Sequence, residues 1–247
     1  MNKLSILKMA FFRIKIYKVS FFINVFFLAI LIFIEYQVYS SFSMTINLRN
    51  LLVYLMISIS MFSVLSISRV PEYIVSIKKG EIVKYLVKPI RLIEFAAIEE
   101  FGIELYHIFQ VFPILCIGIV FSKASFVSIF LFICSIVLSM VLSSLIATSF
   151  FSFSMILMKE ASMKALLSIS IAFFSGALVP FDILPNIVKE IAYFTPFSLL
   201  IDGPINILFG KNFFYIIFLQ LMWIVVFCLV GNFFIEHNKK QLIIFGG

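Results

Sequence analysis

His107 and His237 are the only histidines in this 247-residue chain, and they lie in different segments. A zinc site or an imidazole acid–base pair needs its groups gathered at one point, and no local spacing does that here. Gly210-Lys211 is followed by Asn212 and has Ile205 where a P-loop needs its first glycine, so ATP hydrolysis by that route is excluded. Neither Gly-x-Ser-x-Gly nor His-Glu-x-x-His occurs. Carboxylates paired at mid-membrane depth, which a proton-driven pump requires, are missing from the sequence pattern. Cys116, Cys134 and Cys228 stand singly inside apolar runs, a pattern of packing rather than of a disulfide frame or metal site. No catalytic, cofactor-binding or metal-ligating set emerges. Isolated polar positions remain. Glu35, beside Tyr36 and Gln37, is either an interfacial residue or a polar contact at the mouth of a pathway. Gln110 and Pro113 either line a path or kink and pack their helix. What the chain concentrates is backbone chemistry: four of its seven prolines, Pro180, Pro185, Pro196 and Pro204, fall within 25 positions, among Gly176, Gly203 and Gly210.

The elements that position these residues follow from composition. The chain is 63% hydrophobic and 13% charged. A soluble domain of this size could not bury so much apolar surface, so the chain reads as an all-α integral membrane protein. Six sparsely charged runs mark spans at about 20–41, 50–68, 103–121, 126–149, 165–181 and 212–235. At ~1.5 Å per residue each covers a hydrocarbon core of ~30 Å, the fifth barely. The uncharged stretch 124–158 exceeds one upright span, so the fourth helix tilts or runs past the bilayer. The basic start continues into a run with no small-x-small site to close it, which reads as a retained first span rather than a cleaved leader.

The basic residues sort by side. Fifteen lie at the N-terminus (Lys3, Lys8, Arg13, Lys15, Lys18), between the second and third runs (Arg69, Lys78, Lys79, Lys84, Lys88, Arg91), between the fourth and fifth (Lys159, Lys164) and at the C-terminus (Lys239, Lys240). Four lie on the opposite side: Arg49, Lys123, Lys189 and Lys211. The positive-inside rule then places both termini in the cytoplasm. This topology accounts for the net charge of +7 and leaves no basic soluble face for nucleic acid.

Two segments stand out. In the cytoplasmic segment 69–102, Ile82, Val83, Leu86 and Val87 recur at helical spacing with Lys84 and Lys88 opposite. Gly80 marks a break, Glu81 suits a helix start, and Pro89 ends the short helix by disfavouring α geometry at Lys88. A second amphipathic stretch, Arg91 to Glu104, carries Glu94, Glu99, Glu100 and Glu104. Either both stretches are interfacial helices solvated on their charged side, or the short helix bracketed by Gly80 and Pro89 is a docking knob for a cytoplasmic partner. Residues 1–19 read as an interfacial helix bracing the membrane surface. The segment 182–211, with its prolines, reads as a re-entrant gate at the outer face, since irregular backbone at that depth must be buried in protein or face water. Asp182 is expected to cap a helix beginning near Ile183, with Pro185 in its first turn.

Two motifs carry a family resemblance. Lys79-Gly80-Glu81-Ile82, continued by Tyr85-Leu86-Val87-Lys88-Pro89-Ile90, has a Gly-acid pair followed by a Leu-basic-Pro-apolar step. Ser175-Gly176-Ala177-Leu178-Val179-Pro180-Phe181-Asp182-Ile183-Leu184-Pro185 is followed by Thr195-Pro196-Phe197, Gly203-Pro204 and Gly210. Together with the six-run layout they resemble the membrane subunit of bacterial type-2 ABC transporters, the ABC-2 permeases, in the branch of six-span chains of about this length similar to viologen-exporter permeases. The resemblance implies one permease domain over 1–247 with no cofactor of its own. It implies a translocation path shared with a second permease, identical or homologous, embedded in membrane lipid. Two copies of a separate ABC ATPase would hold ATP and Mg. Gly80, Glu81, Tyr85, Leu86, Lys88 and Pro89 would form the coupling helix, and Gly176, Pro180, Phe181, Asp182, Pro185, Pro196, Phe197, Gly203 and Pro204 the extracellular gate. It implies residence in a bacterial cytoplasmic membrane and export of a drug, peptide antibiotic or lipid-like substrate.

Two other classes compete. A membrane-embedded lipid enzyme would need a nucleophile with its base or an acid–histidine cluster, which the sequence does not present. A non-transporting immunity or scaffold protein is compatible with the composition, and a copurifying ATPase separates it from a permease. The coupling assignment makes a direct prediction. Gly80→Pro combined with Glu81→Lys leaves the chain inserted but uncouples transport; unchanged transport-dependent ATPase activity in that variant rules the assignment out.

Overall fold

A computed structural model describes residues 5–8, 18–42, 47–65, 91–157 and 160–244, and among them every regular element is helical. The order is α1 (Lys18–Phe42), α2 (Leu48–Val64), α3 (Leu92–Ser122), α4 (Phe126–Leu157) and α5 (Glu160–Phe174). A 3-10 turn (Phe181–Ile183), α6 (Asn186–Phe194), a second 3-10 turn (Ser198–Leu200), α7 (Asp202–Leu208) and α8 (Phe213–Ile244) complete it. Among the described residues four stretches are long and apolar enough to cross a bilayer: Phe21–Ser41, Leu92–Ser122, Phe126–Phe153 and Phe213–Ile235. The second and fifth expected spans are helical but short, at 17 residues for α2 and 15 for α5. At ~1.5 Å per residue both fall below ~30 Å. The fifth was expected to reach residue 181. It ends at Phe174 because Gly176 takes the left-handed conformation (φ +80°) that an α-helix cannot continue through. The Leu178 N–H then reaches back to the Ala172 carbonyl.

α4 is the centre of the bundle. Of its most apolar stretch 56% is buried, against 11% in α1 and 17% in α8. It packs against α3, α5, α7 and α8. The buried face carries two rows of small hydroxyls at four-residue spacing, Ser135/Ser139/Ser143 and Ser144/Thr148/Ser152. Small side chains let neighbouring backbones approach. Several of these hydroxyls return to their own helix, Thr148 Oγ1 to the Ser144 carbonyl (2.9 Å) and Ser152 Oγ to the Thr148 carbonyl (2.6 Å). Ser149 Oγ also crosses to the Phe227 carbonyl of α8 at 3.0 Å. The large outward residues of α1 and α8, such as Phe22, Phe26, Phe214 and Phe218, are exposed, as suits helices that face hydrocarbon.

α3 runs unbroken from Leu92, so the acidic stretch and the third span are one helix of 31 residues, with Pro113 inside it. Its acids depart from expectation. Glu99, Glu100 and Glu104 are buried in the bundle rather than solvated, and Ser143 of α4 donates to Glu104 Oε1. The stretch looks amphipathic by charge, but its acidic side is the side that meets protein. At its other end α3 stops at Lys123, which adopts φ 52°. There the Arg49 guanidinium of α2 donates through Nε to the Phe121 carbonyl (2.7 Å), matching a cation to the helix C-terminus.

The N-terminal 1–19 segment lies mostly outside the described residues; Ile6 within it is buried. Cys116, Cys134 and Cys228 are separate, half-buried free thiols.

α3, α4 and α8 meet at Gly231. A Cβ there would lie 2.1 Å from Ile93 Cδ1 and 2.7 Å from Ser149 Oγ. Gly231→Ala is therefore expected to destabilise by about 1–3 kcal/mol, read as a lower unfolding midpoint in detergent. Ile93→Val, which removes the nearer atom, should recover part of the loss; a neutral Gly231→Ala would show that the three helices do not meet here.

Candidate functional site

The chain between α5 and α8 folds back into the bundle as short helical pieces. Its first anchor is Gly176. Its carbonyl accepts a hydrogen bond from Tyr54 OH of α2 at 3.1 Å, and a Cβ at this position would sit 2.2 Å from that hydroxyl and 3.3 Å from the Phe181 ring. Positive φ and close approach both demand glycine. The same hydroxyl donates to Asp202 Oδ1 at 3.2 Å, so one phenolic proton is shared between two acceptors. Asn206 Nδ2 donates to Asp202 Oδ2 (2.6 Å), and the Asp202 N–H donates to the Ser175 carbonyl (3.1 Å). Tyr54, Gly176 and Asp202 thus clasp α2, the end of α5 and the start of α7 together. Tyr39 of α1 adds a hydroxyl bond to the Leu178 carbonyl.

A second anchor lies in the bundle. Gln220 of α8 is fully buried; its Nε2 donates to the Leu199 carbonyl and to Ser139 Oγ, each at 3.0 Å. Ser139 Oγ donates to the same Leu199 carbonyl at 3.0 Å, and Ser135 Oγ donates to Gln220 Oε1 at 3.1 Å. The unwound backbone around Leu199 therefore receives its hydrogen bonds from two long helices.

The residues expected to form the gate divide into two groups. Gly176, Pro180, Phe181, Pro196, Gly203 and Pro204 are buried, and Phe197 is half-buried. The Phe181 ring meets Tyr193 of α6 edge-on, with centroids 5.2 Å apart. Asp182 and Pro185 are exposed. Asp182 does not cap the following helix. It lies in the 3-10 turn and forms a 3.6 Å ion pair with Lys189 across the start of α6. Proline at 185 forces Leu184 into extended backbone (ψ 146°), so the α-helix starts only at Asn186, with Pro185 at its N-cap. The coupling candidates Gly80, Glu81, Tyr85, Leu86, Lys88 and Pro89 lie outside the described residues.

Sequence reasoning missed Tyr54, Asp202, Asn206 and Gln220. The available signal was a polar side chain inside an apolar run, together with the four-residue serine spacing that faces Gln220.

Two cavities flank the clasp. One, of about 480 Å³, is lined by Asn50, Tyr54, Lys123, Ser125, Asp182 and Lys211 among others. The other, of about 370 Å³, is lined by Tyr193, Asp202, Asn206, Lys211 and Tyr215 among others. Tyr54 and Asp202 thus stand on opposite sides of one polar partition. Burial pushes the Asp202 carboxyl up to about 7; the Tyr54 hydrogen bond opposes that rise, nearby Asp182 adds to it, and Lys211 and Lys189 oppose it. Burial, with Asp202 second, likewise raises Tyr193 above the ordinary phenol range.

A family model described as ABC-2 family transporter protein matches residues 14–242. No curated protein matches the chain.

Because the folded chain holds the Asp202 proton more tightly than an ordinary carboxyl at 3.8, its contribution to stability is full below about pH 3.8 and is lost as pH rises through about 7. Asp202→Asn should remove that pH dependence: the gap in unfolding midpoint between parent and variant changes between pH 5 and pH 8, the parent losing ground at the higher pH. A constant gap would show that Asp202 does not titrate in this range.

Proposed function

This chain belongs to the ABC-2 transporter family, and we propose that it is the membrane-spanning subunit of an ATP-driven exporter, working with a second permease, identical or homologous, and with a separate ATPase on its cytoplasmic face. In this reading all six apolar helices cross or enter the bilayer of a bacterial cytoplasmic membrane, both termini are cytoplasmic, and the segment 182–211, entered through the break at Gly176, is the outer gate. ATP and Mg reside on the partner, two copies of which serve the pair of permeases. The substrate is a drug, peptide antibiotic or lipid-like molecule.

The observation that carries the reading is the polar partition of Tyr54, Gly176 and Asp202 between two cavities. A plain anchor has no use for an unwound, glycine-dependent segment held by hydrogen bonds at both ends. A gate needs backbone that is satisfied when closed and can exchange partners when it moves.

The mechanism follows from connectivity. α2 carries Tyr54 and leads directly into the expected coupling segment 69–102. From Val64 to Tyr54 is about 15 Å along the helix. Closure of the ATPases on bound ATP pushes the expected coupling segment Gly80 to Pro89, α2 shifts as a near-rigid rod, and Tyr54 leaves the Gly176 carbonyl and the Asp202 carboxyl. The seal at the outer face then loosens and substrate passes outward. Return of α2 restores the clasp.

The test is a mild-detergent pull-down of the chain from its native membrane, with bound proteins identified by mass spectrometry. The expected result is a stoichiometric P-loop ATPase, lost when Gly80 to Pro89 is altered. Recovery of the chain alone, under conditions that preserve other ABC complexes, would instead identify a non-transporting immunity or scaffold protein.

A further inference from the structure

Away from the clasp and the Gln220 anchor, another polar cluster lies within two stretches of spanning length. Asn24 of α1 donates through Nδ2 to Gln110 Oε1 of α3 at 3.2 Å. The same oxygen is 3.0 Å from His107 Nδ1, and Gln110 Nε2 donates to Tyr106 OH at 3.3 Å. Asn24, His107 and Gln110 are polar lining residues of a cavity of about 360 Å³, with Ser63, whose hydroxyl donates to the Ser60 carbonyl of its own helix (2.7 Å), and Phe27, Leu28, Leu31, Ile59, Phe62 and Val111 form its apolar walls. A few convergent polar groups on an otherwise apolar wall, at this size, are the usual make-up of a small-molecule pocket.

Interhelical bonding explains the contact between α1 and α3. It does not explain the rest of Asn24. This side chain is exposed at the protein surface inside an apolar span, and among the described residues nothing donates to its Oδ1. An amide oxygen open to hydrocarbon is costly unless a donor meets it. The chemistry of the cavity also restricts what that donor belongs to. Among the described lining residues none carries a fixed charge, so a charged head would enter without a counter-charge.

We propose that this cavity is a binding subsite for a neutral amphiphile with a hydroxyl or amide head. The head donates to Asn24 Oδ1, and the hydrocarbon lies along Phe27, Leu31 and Phe62. The subsite deepens the exporter reading, and only its purpose rests on that reading. Asn24 lies about 9 Å along α1 from Lys18, on the cytoplasmic side of the proposed topology, and Phe62 is two residues from the end of α2 that leads to the coupling segment. A guest from the inner leaflet therefore rests against the helix that the ATPase moves.

The experiment uses the full chain with its copurified partners in phosphatidylcholine nanodiscs. A diazirine-bearing monoacylglycerol is photolysed against it, with diazirine phosphatidylglycerol as the charged comparison, and the labelled peptides are mapped by mass spectrometry. The neutral probe should label the α1 and α3 peptides around Phe27 and Val111 above the lipid-facing surface of α8 at Phe218 and Phe233. Asn24→Leu should lower that excess roughly three- to tenfold, the loss of one hydrogen bond. Phe62→Trp, which fills the cavity and leaves the Asn24–Gln110 bond in place, should do likewise, and it decides alone if Asn24→Leu fails to assemble. Labelling equal to that of α8, labelling unchanged in the variants, or equal labelling by the anionic probe overturns the subsite. Site-specific labelling in a preparation that brings down no ATPase would sink the exporter reading and keep the subsite. An ATPase-coupled complex labelled uniformly would do the reverse.

Discussion

Hydrocarbon offers no hydrogen-bond partner, so every polar group inside these helices must find one in the protein. The serine rows of α4, Gln220 of α8 and the Leu199 carbonyl satisfy that demand mutually. Without Gln220 and Ser139, the unwound backbone at Leu199 would hold a buried carbonyl with nothing to accept from. Without that backbone, Gln220 would keep Ser135 and Ser139 of α4 but lose its acceptor in the broken segment. The dependence of the Leu199 carbonyl on Gln220 and Ser139 fixes where the broken segment enters the bundle. α4 is central because its buried face has the small, hydroxyl-bearing residues that permit close approach and also provide donors.

The clasp at the other end obeys the same requirement but is easier to release. Its donor is a single phenolic hydroxyl with two acceptors, the Gly176 carbonyl and the Asp202 carboxyl. Cavities whose mixed walls include Lys211, Asp182 and Asn206 border it on both sides, so these groups have other polar side chains nearby, which the fully buried Gln220 finds only in α4 and the Leu199 turn. In the proposed exporter the Gln220 anchor holds the segment and the Tyr54 clasp is the part that opens. In the proposed exporter this difference separates hinge from gate. α2 is the element suited to act on it, because the helix that bears Tyr54 is continuous in sequence with the expected coupling segment.

Much of the class was legible in the residues. Long uncharged runs can only be helices in a membrane, since an open sheet edge or loop would leave backbone groups unbonded. The cluster of glycines and prolines from Gly176 to Pro204 marked where such helices could not continue. The motifs around Gly80 and Gly176 pointed to the family that the match over residues 14–242 then established. Less was legible in the site. Tyr54 is one aromatic among many apolar neighbours, and nothing local says that its hydroxyl meets a carbonyl 122 positions away. The acids of α3 looked solvated because charge pattern reports which face is polar, not what that face touches.

By itself the sequence determined the properties that arise within a helical turn or from the solvent. These are the helical class, the apolar stretches and the breaks imposed by glycine and proline. Tertiary structure alone decided which polar groups became partners: Tyr54 with Gly176 and Asp202, Gln220 with Leu199, Asn24 with Gln110, Ser143 with Glu104. The reason is one of range. Backbone preference and hydrophobic periodicity act over a few residues, whereas a hydrogen bond between helices depends on the rotation and depth at which they pack. Those are set by the whole bundle at once.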